Sequence, residues 1–377
     1  MVYKFPSWPI HDSDELEGLS SVLQSGEWWS GKPGGIAENF EQEFADIHGA
    51  TAGVLTTNGT HALELALRLL AIGPGDEVII PAMTFMATAT AVLCVGATPV
   101  SVDICSKTWC LDPQAFENAI TDKTKAVIPV HFGGQICRMD EISQISASSN
   151  LHVIEDAAHA HGGSRSGQMA GSFGIAAAFS FQNYKLITSG EGGILLINDE
   201  KLLERARRMT NCGRGRGEFG YNHSVLGSNF RITNFQAAIL HSQLRRLDDL
   251  AQKRQFNGAL LDNALRDIPG IEPQGEEGNG RHSRYMYLFT YVPDDFGGLT
   301  RDEFVQELSK RGIPANSIYP RIQDAPFLID TIAQKDPCKI SENIAKSGIW
   351  IHHRTLIGSD YEALQIRDAI VDIRNHL

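Results

Sequence analysis

VIEDAAHAHGG (residues 153–163) and FSFQNYKLITSGEGG (residues 179–193) are the two most informative stretches of this sequence. The first places Asp156 directly after a buried apolar strand, and the second places Lys185 in a loop ahead of a glycine cluster. A lysine and an acid at strand ends suit pyridoxal phosphate, because the amine forms a Schiff base with its aldehyde and the carboxylate keeps its pyridine nitrogen protonated. The alternative is a surface lysine and a strand-end aspartate with no shared task, since both residue types usually face water.

Strands and helices alternate on both sides of these stretches. The runs that predict strands are TAGVLTTN (51–58), DEVIIPA (76–82), ATPVSVDI (97–104), TKAVIPVHF (124–132), LHVIEDAAH (151–159), GIAAAFSF (174–181) and GGILLIND (192–199). Helical patterns separate them at 60–71, 84–93, 113–120 and 139–147. The alternation predicts an α/β fold with a mainly parallel, seven-stranded sheet, in which ligands bind at the carboxyl ends of strands.

The pattern changes after about residue 235. Residues 235–265 predict one or two long helices, and residues 285–293, 301–311 and 359–377 complete a smaller α+β unit. The polar, glycine-rich stretch QGEEGNGRHSR (274–284) predicts a linker or flexible loop. We therefore expect a large domain over residues 1–240 and a small C-terminal domain over residues 241–377. The N-terminal stretch is expected to pack on the small domain or on a partner.

Composition limits the classes of protein that this chain can be. The 33 basic and 45 acidic side chains give a net charge of -12, which argues against nucleic acid as a partner. Residues 78–102 carry no charge, but Pro81, Gly96 and Pro99 interrupt them, so they predict buried strands and a helix rather than a membrane span. Scattered cysteines without a CxxC pair and an N-terminus without a signal-peptide core predict a cytoplasmic protein.

A phosphate site is predicted where the first strand meets the first helix of the alternating pattern. Asn58, Gly59 and Thr60 form a glycine-containing turn at a helix N-terminus, which offers free N–H groups and the positive end of the helix dipole to an anion. Ser180, five residues before Lys185, can add a hydroxyl. Asn58 or Thr60 can also simply cap the helix, and the two roles are compatible.

Ordered motifs along the chain resemble those of the DegT/DnrJ/EryC1/StrS family of pyridoxal-phosphate-dependent aminotransferases, from about Pro6 to the C-terminus. They are FPSWP, GEWWSG, TTNGTHALELAL, VIPAMTF, DAAHAHG, FSFQNYKLITSGEGG, GSNFRITNFQAA and IHHRTL. The resemblance implies the fold of type I pyridoxal-phosphate transferases and transfer of an amino group from glutamate or glutamine to a keto sugar, usually nucleotide-linked, or to a keto cyclitol. The motifs look closest to 3-amino-5-hydroxybenzoate synthases and 2-deoxy-scyllo-inosose aminotransferases, and they do not separate these two subgroups.

The resemblance also implies roles for single residues. Lys185 would form the internal aldimine and shuttle the proton, Asp156 would pair with the pyridine nitrogen, and His159 would hydrogen-bond the ring hydroxyl of the cofactor. Phe85 would stack on the cofactor ring. Asn229 would reach the phosphate in the neighbouring subunit of a homodimer with shared active sites.

A second set of residues lies in family-like segments that the resemblance assigns to the substrate pocket. They are Trp28, Trp29, Arg231, Tyr285, His352 and Arg354. His352 and His353 are adjacent, without the i, i+4 spacing of helical metal ligands, so we expect no metal site.

Two other functions stay open at this point. In the 3-amino-5-hydroxybenzoate synthase subgroup, the same lysine assists loss of water and aromatisation of an aminocyclohexanone. A catalytically silent, cofactor-binding regulator is the second alternative, although the chain has no appended DNA-binding unit and no basic patch. The partners expected here are an amino donor and a keto acceptor, with neither nucleic acid nor membrane.

Overall fold

The computed structural model describes residues 2–218, 220–329 and 331–376. The helices in these ranges are α1 (Ser13–Ser25), α2 (Ile36–His48), α3 (Gly59–Leu69), α4 (Ala87–Cys94), α5 (Pro113–Ala119), α6 (Met139–Ser148), α7 (Glu200–Thr210), α8 (Asn234–Arg245), α9 (Leu247–Leu265), α10 (Arg301–Lys310), α11 (Lys339–Ser347) and α12 (Asp360–Asn375). The strands are β1 (Ala52–Thr56), β2 (Glu77–Pro81), β3 (Thr98–Val102), β4 (Thr124–Val127), β5 (His152–Asp156), β6 (Ser164–Arg165), β7 (Gln168–Met169), β8 (Ala176–Ser180), β9 (Gly193–Ile197), β10 (Ile271–Pro273), β11 (Gly280–Arg281), β12 (Met286–Tyr291), β13 (Ala315–Ser317), β14 (Ala333–Gln334) and β15 (Gly348–His352).

The main sheet contains the seven predicted strands and one more, in the order β1-β9-β8-β5-β4-β2-β3-β14. Strand β9 pairs antiparallel with β1 and β8, and the other neighbours run parallel. Along β9, Ile194 and Leu196 join one apolar cluster, whereas Leu195 and Ile197 join the cluster on the opposite face. Because successive side chains of a strand point to opposite faces, both faces of this sheet are buried under helices.

A second, smaller sheet has the antiparallel order β10-β12-β15-β13. Its apolar face packs with side chains of α9, α10 and α12, and Tyr3 and Phe5 of the N-terminal segment pack against the same cluster. The chain beyond residue 241 also returns to the main sheet, because β14 pairs with β3 and the Asp103 carboxylate accepts hydrogen bonds from the amides of Ile340 and Ser341. The division of the chain at residues 240 and 241 stays a prediction.

The linker or flexible loop predicted over residues 274–284 is buried at its two ends and exposed in its middle. Gln274 and Arg284 are buried, and β11 within this stretch pairs with β6. The glycines serve close packing instead, because a Cβ added at Gly280 would lie 2.1 Å from the Ser164 carbonyl oxygen. The stretch therefore connects β10 and β12 of the second sheet, and its strand β11 belongs to a small three-stranded sheet of order β11-β6-β7.

The uncharged residues 78–102 fold as the sequence predicts, into β2, α4 and β3. None of the helices in the described ranges has both the length and the apolar character needed to cross a bilayer.

Candidate active site

A cavity of about 720 Å³ opens at the carboxyl ends of β1, β2, β5 and β8 and reaches the second sheet. The fold thus places a concave site where parallel α/β sheets bind their ligands. Eleven residues named in the sequence analysis line this cavity: Asn58, Gly59, Thr60, Phe85, Asp156, His159, Ser180, Lys185, Tyr285, His352 and His353.

Asp156 is the last residue of β5, and its carboxylate is held by two donors. The Thr88 hydroxyl donates to Oδ2 at 2.8 Å, and the Ala158 amide donates to Oδ1 at 3.2 Å. The Thr84 hydroxyl lies 2.8 Å from that of Thr88 and can donate to it in turn. Burial raises the pKa of Asp156, while the bond from Thr88, the Ala158 amide and the charge of Lys185 act in the opposite direction.

Lys185 follows β8 and faces the same cavity. Its Nζ lies 4.4 Å from the centre of the Tyr285 ring. Burial lowers the pKa of Lys185 to about 8, because the ammonium form loses hydration that the charge of Asp156 only partly replaces. The amine is therefore far more available as a base and nucleophile near neutral pH than an ordinary lysine.

His159 completes the group around the amine. Its ring stacks on Tyr285, with centroids 4.2 Å apart and an interplanar angle of 20°. Burial holds the pKa of His159 well below its usual value, and the charge of Lys185 adds to this effect, so the imidazole is neutral. Among the described residues its buried Nδ1 has no hydrogen-bond partner, which leaves this atom free for a ligand.

The turn before α3 has the geometry of an anion cradle. The Asn58 side chain caps the helix by accepting a hydrogen bond from the His61 amide at 2.8 Å. The amides of Gly59 and Thr60 begin the helix and therefore have no intrahelical carbonyl partner. A Cβ added at Gly59 would lie 2.9 Å from Cβ of Ser180, so only glycine lets this turn approach the end of β8.

Asn229 and three of the six predicted substrate residues lie in one region outside this cavity. Trp28 and Trp29 are partly exposed, and the Trp28 ring packs against Phe235 of α8. The Arg231 guanidinium donates to Oδ1 of Asn211 at 2.8 Å and lies over the Trp29 ring. Asn229 is exposed. Their roles at an active site stay predictions.

Arg354 contacts the N-terminal segment. Its Nη1 lies 3.4 Å from the Pro6 carbonyl oxygen. Its role in the substrate pocket stays a prediction.

Several cavity residues have no counterpart in the sequence analysis. They include Thr84, Tyr184, Asn316, Tyr319 and Trp350. Period-two reading of β15 would have found one of them, because Ile349 and Ile351 face the apolar cluster of the small sheet while Trp350 and His352 face the cavity. Tyr319 comes from an irregular segment, where no periodic signal exists.

The fold and the cavity together define the class of protein. An aspartate at the end of one strand and a lysine after the neighbouring strand, in a mainly parallel sheet with helices on both faces, are typical of pyridoxal-phosphate-dependent transferases. The chain is an aminotransferase of this kind. A model of the DegT/DnrJ/EryC1/StrS aminotransferase family matches residues 9–369, and the chain belongs to that family.

Two curated relatives and one crystal structure illustrate the similarity. The chain is 39% identical over 385 residues to a 3-amino-5-hydroxybenzoate synthase from Amycolatopsis mediterranei, covering 98% of this chain and 97% of the relative. It is 34% identical over 403 residues to an L-glutamine:2-deoxy-scyllo-inosose aminotransferase from Streptoalloteichus tenebrarius, covering 99% and 95%. A crystal structure of 3-amino-5-hydroxybenzoic acid synthase superposes with a TM-score of 0.94 at 37% identity over the whole of both chains.

Proposed function

We propose that this chain binds pyridoxal phosphate on Lys185 and transfers an amino group from glutamine or glutamate to the keto group of a cyclitol or of a sugar, in a ping-pong reaction. The observation that carries the proposal is the meeting of Lys185, Asp156 and His159 in one cavity of about 720 Å³. A volume of this size lies in the usual range for cofactor and small-molecule sites.

The residues present fit the cofactor at each of its polar groups. The cradle at Gly59 and Thr60, with the nearby Ser180 hydroxyl, offers donors to a phosphate. The Asp156 carboxylate, which Thr88 and Ala158 hold in a fixed direction, suits a protonated ring nitrogen. The buried Nδ1 of His159, which has no hydrogen-bond partner among the described residues, would be free to meet a ring substituent.

Bound pyridoxal phosphate would supply an aldehyde that carries the amino group and a ring that accepts electrons. The protein residues have separate tasks. Nζ of Lys185, whose pKa is lowered to about 8, would take the proton from the donor carbon that bears the amino group and would give it to the cofactor carbon that receives the nitrogen. Asp156 keeps a negative charge beside the ring nitrogen, and Tyr285 covers the amine so that bulk water stays away from it.

The donor and the acceptor are distinguished by two measurements on purified protein. Glutamine or glutamate alone should convert the yellow, cofactor-loaded protein to its amino form, with loss of visible absorbance. Either 2-deoxy-scyllo-inosose or a nucleotide-linked keto sugar should then restore the absorbance and yield an aminated product by mass spectrometry. Failure of both donors to change the absorbance would remove the proposal.

A second candidate function is dehydration and aromatisation of an aminocyclohexanone, as the name 3-amino-5-hydroxybenzoate synthase indicates for the relative at 39% identity. The same lysine can serve both reactions, since each needs a proton removed from carbon: from the carbon that bears the amino group in transamination, and from a ring carbon in dehydration and aromatisation. Incubation with an aminocyclohexanone carboxylate separates the two, because only the aromatising enzyme forms a product with strong near-ultraviolet absorbance.

The proposal includes a cytoplasmic homodimer with active sites shared between subunits. Trp28, Trp29, Arg231 and Asn229 lie outside this chain's own cavity, and several of them are exposed. In a dimer these side chains are available to the cavity of the second subunit, with Asn229 directed to the phosphate.

A further inference from the structure

Two side chains from opposite ends of the chain hold the turn that precedes Lys185. The indole Nε1 of Trp8 donates a hydrogen bond of 2.8 Å to the Asn183 carbonyl oxygen. The imidazole Nε2 of His353 lies 3.1 Å from the Tyr184 carbonyl oxygen. Asn183 and Tyr184 directly precede Lys185, so both hydrogen bonds act on the backbone that carries the amine.

His353 acts on this turn as a neutral donor. Burial lowers the pKa of His353 well below its usual value, and the neighbouring His352 and Arg254 add to the effect. A neutral imidazole carries one proton and a carbonyl oxygen can only accept, so the proton lies on Nε2. The other nitrogen, Nδ1, is buried and has no partner within the described part of the chain.

The two rings also support each other. Trp8 and His353 pack edge to face, with centroids 4.5 Å apart and an interplanar angle of 84°. Arg354, the next residue after His353, reaches the Pro6 carbonyl two residues before Trp8. We call Trp8, His353 and Arg354 the terminal clamp.

Both arms of the terminal clamp are anchored elsewhere. His353 directly follows β15, which is paired on both sides by β12 and β13. On the N-terminal arm, the Tyr3 amide donates to the Arg311 carbonyl at 2.8 Å, and Gln243 of α8 donates to the Ile10 carbonyl at 2.8 Å. The clamp therefore transmits the rigidity of the second sheet and of α8 to the Lys185 turn.

We propose that Trp8 and His353 are positioning residues that fix the backbone before Lys185 and so aim its amine into the cavity. The inference rests on the proposed function for the role of Lys185. It assigns a task to Trp8 of the motif FPSWP, whose contact with the Lys185 turn the sequence does not reveal because Trp8 and Asn183 are 175 residues apart. Small displacements of a reacting group lower turnover strongly, by as much as ~100-fold for ~1 Å.

The first test uses the apoprotein, so it does not depend on the cofactor. Trp8→Phe keeps an aromatic ring and removes the N–H donor, and Tyr3→Phe is a matched control in the same segment. Hydrogen exchange should become faster in the peptide that covers residues 182–191 of Trp8→Phe and stay unchanged elsewhere and in the control. Equal exchange in that peptide, or faster exchange throughout the protein, overturns the inference.

The second test measures the loaded enzyme. Trp8 is not among the residues that line the cavity, whereas His353 is, so Trp8→Phe is the variant in which a fall in kcat with little change in KM reports positioning rather than substrate contact. We expect kcat to fall by roughly tenfold in Trp8→Phe and in His353→Phe, and their combination to cost less than the product of the two effects, since both act on one turn. His353→Gln, which keeps a donor at similar reach, should recover part of the loss.

The outcomes separate this inference from the proposed function. If wild-type protein takes up no cofactor on Lys185, the proposed function fails, and the exchange comparison still decides whether the clamp holds the turn. If wild-type protein is loaded and active while Trp8→Phe and His353→Phe keep wild-type kcat, the clamp inference fails alone.

Discussion

Burial shifts the pKa values of several titratable side chains in the cavity more than neighbouring charges do. Loss of hydration is the largest cause of the shifted pKa of Lys185, Asp156 and His159, and in each case it disfavours the charged form. The consequence is an amine that loses its proton easily beside an imidazole that stays neutral. Only hydrogen bonds and the charge of Lys185 favour the ionised form of Asp156 against the effect of burial.

The lowered pKa of Lys185 predicts a pH dependence for cofactor attachment. Only the neutral amine attacks an aldehyde, so the attachment rate should rise with pH and level off above about 8. Stopped-flow absorbance of apoprotein mixed with pyridoxal phosphate measures this rate, with a free lysine derivative as the control for titration of the cofactor itself. A rate that keeps rising to about pH 10.4, the range of an unperturbed lysine, would contradict the assignment.

Asp156→Asn should separate activity from stability. The amide keeps the shape and the bond from Thr88 but removes the buried charge, so turnover should fall by roughly 100-fold or more. The melting temperature of the apoprotein should not fall, because the carboxylate is costly to bury. Steady-state kinetics and thermal melts check the two halves, and retention of wild-type turnover would show that Asp156 has no part in the reaction.

The strands and helices that position the cavity residues are predicted from the sequence only in part. The seven predicted strands of the main sheet are confirmed. They could be predicted because continuous apolar runs between helical patterns rarely form anything else, and Lys185 and Asp156 could be identified as polar residues at strand ends. Thr88 and Tyr319 are not visible in this way, because their contacts with the site depend on how a helix and an irregular segment pack. The burial of Gln274 and of residues 282–284 is hidden for the same reason, since a polar, glycine-rich composition resembles that of a loop.

The N-terminus of α3 depends on close packing against β9. A Cβ added at Gly193 would lie 2.4 Å from the Asn58 carbonyl carbon and 2.6 Å from the Gly59 amide nitrogen. Gly193→Ala should therefore displace the cradle, destabilise the protein by about 1–3 kcal/mol and weaken cofactor binding. Gly73→Ala is the control, because its nearest neighbour would lie at an ordinary 3.5 Å. Thermal melts measure the loss of stability and cofactor titration measures the loss of affinity. Equal melting temperatures and equal affinities for the two variants would refute the packing argument.

The whole molecule exposes apolar side chains outside its own cavity. Tyr221 is 96% exposed and Leu226 is 84% exposed, and both precede Asn229 in the chain. Exposed apolar side chains of this kind are available to an association surface. They are compatible with the proposed homodimer, in which the family resemblance assigns Asn229 to the site of the neighbouring subunit.

Subunit complementation tests this arrangement. Lys185→Ala and Asn229→Ala should each be inactive or strongly impaired as homodimers. After mixed unfolding and refolding in equal amounts, about a quarter of wild-type activity should return, because half of the dimers are mixed and each has one complete site. Size-exclusion chromatography checks that dimers re-form, and dimers without any recovered activity would argue against shared sites.

The most direct test of the central claim is to locate the bond between the protein and the cofactor. Purified protein is incubated with pyridoxal phosphate, reduced with borohydride, digested and analysed by mass spectrometry, with Lys185→Ala treated in parallel. We predict one stable phosphopyridoxyl group on the peptide that contains Lys185, and none in the variant. A wild-type protein that stays colourless and unlabelled, or that is labelled equally on surface lysines and in the variant, would contradict the assignment of Lys185.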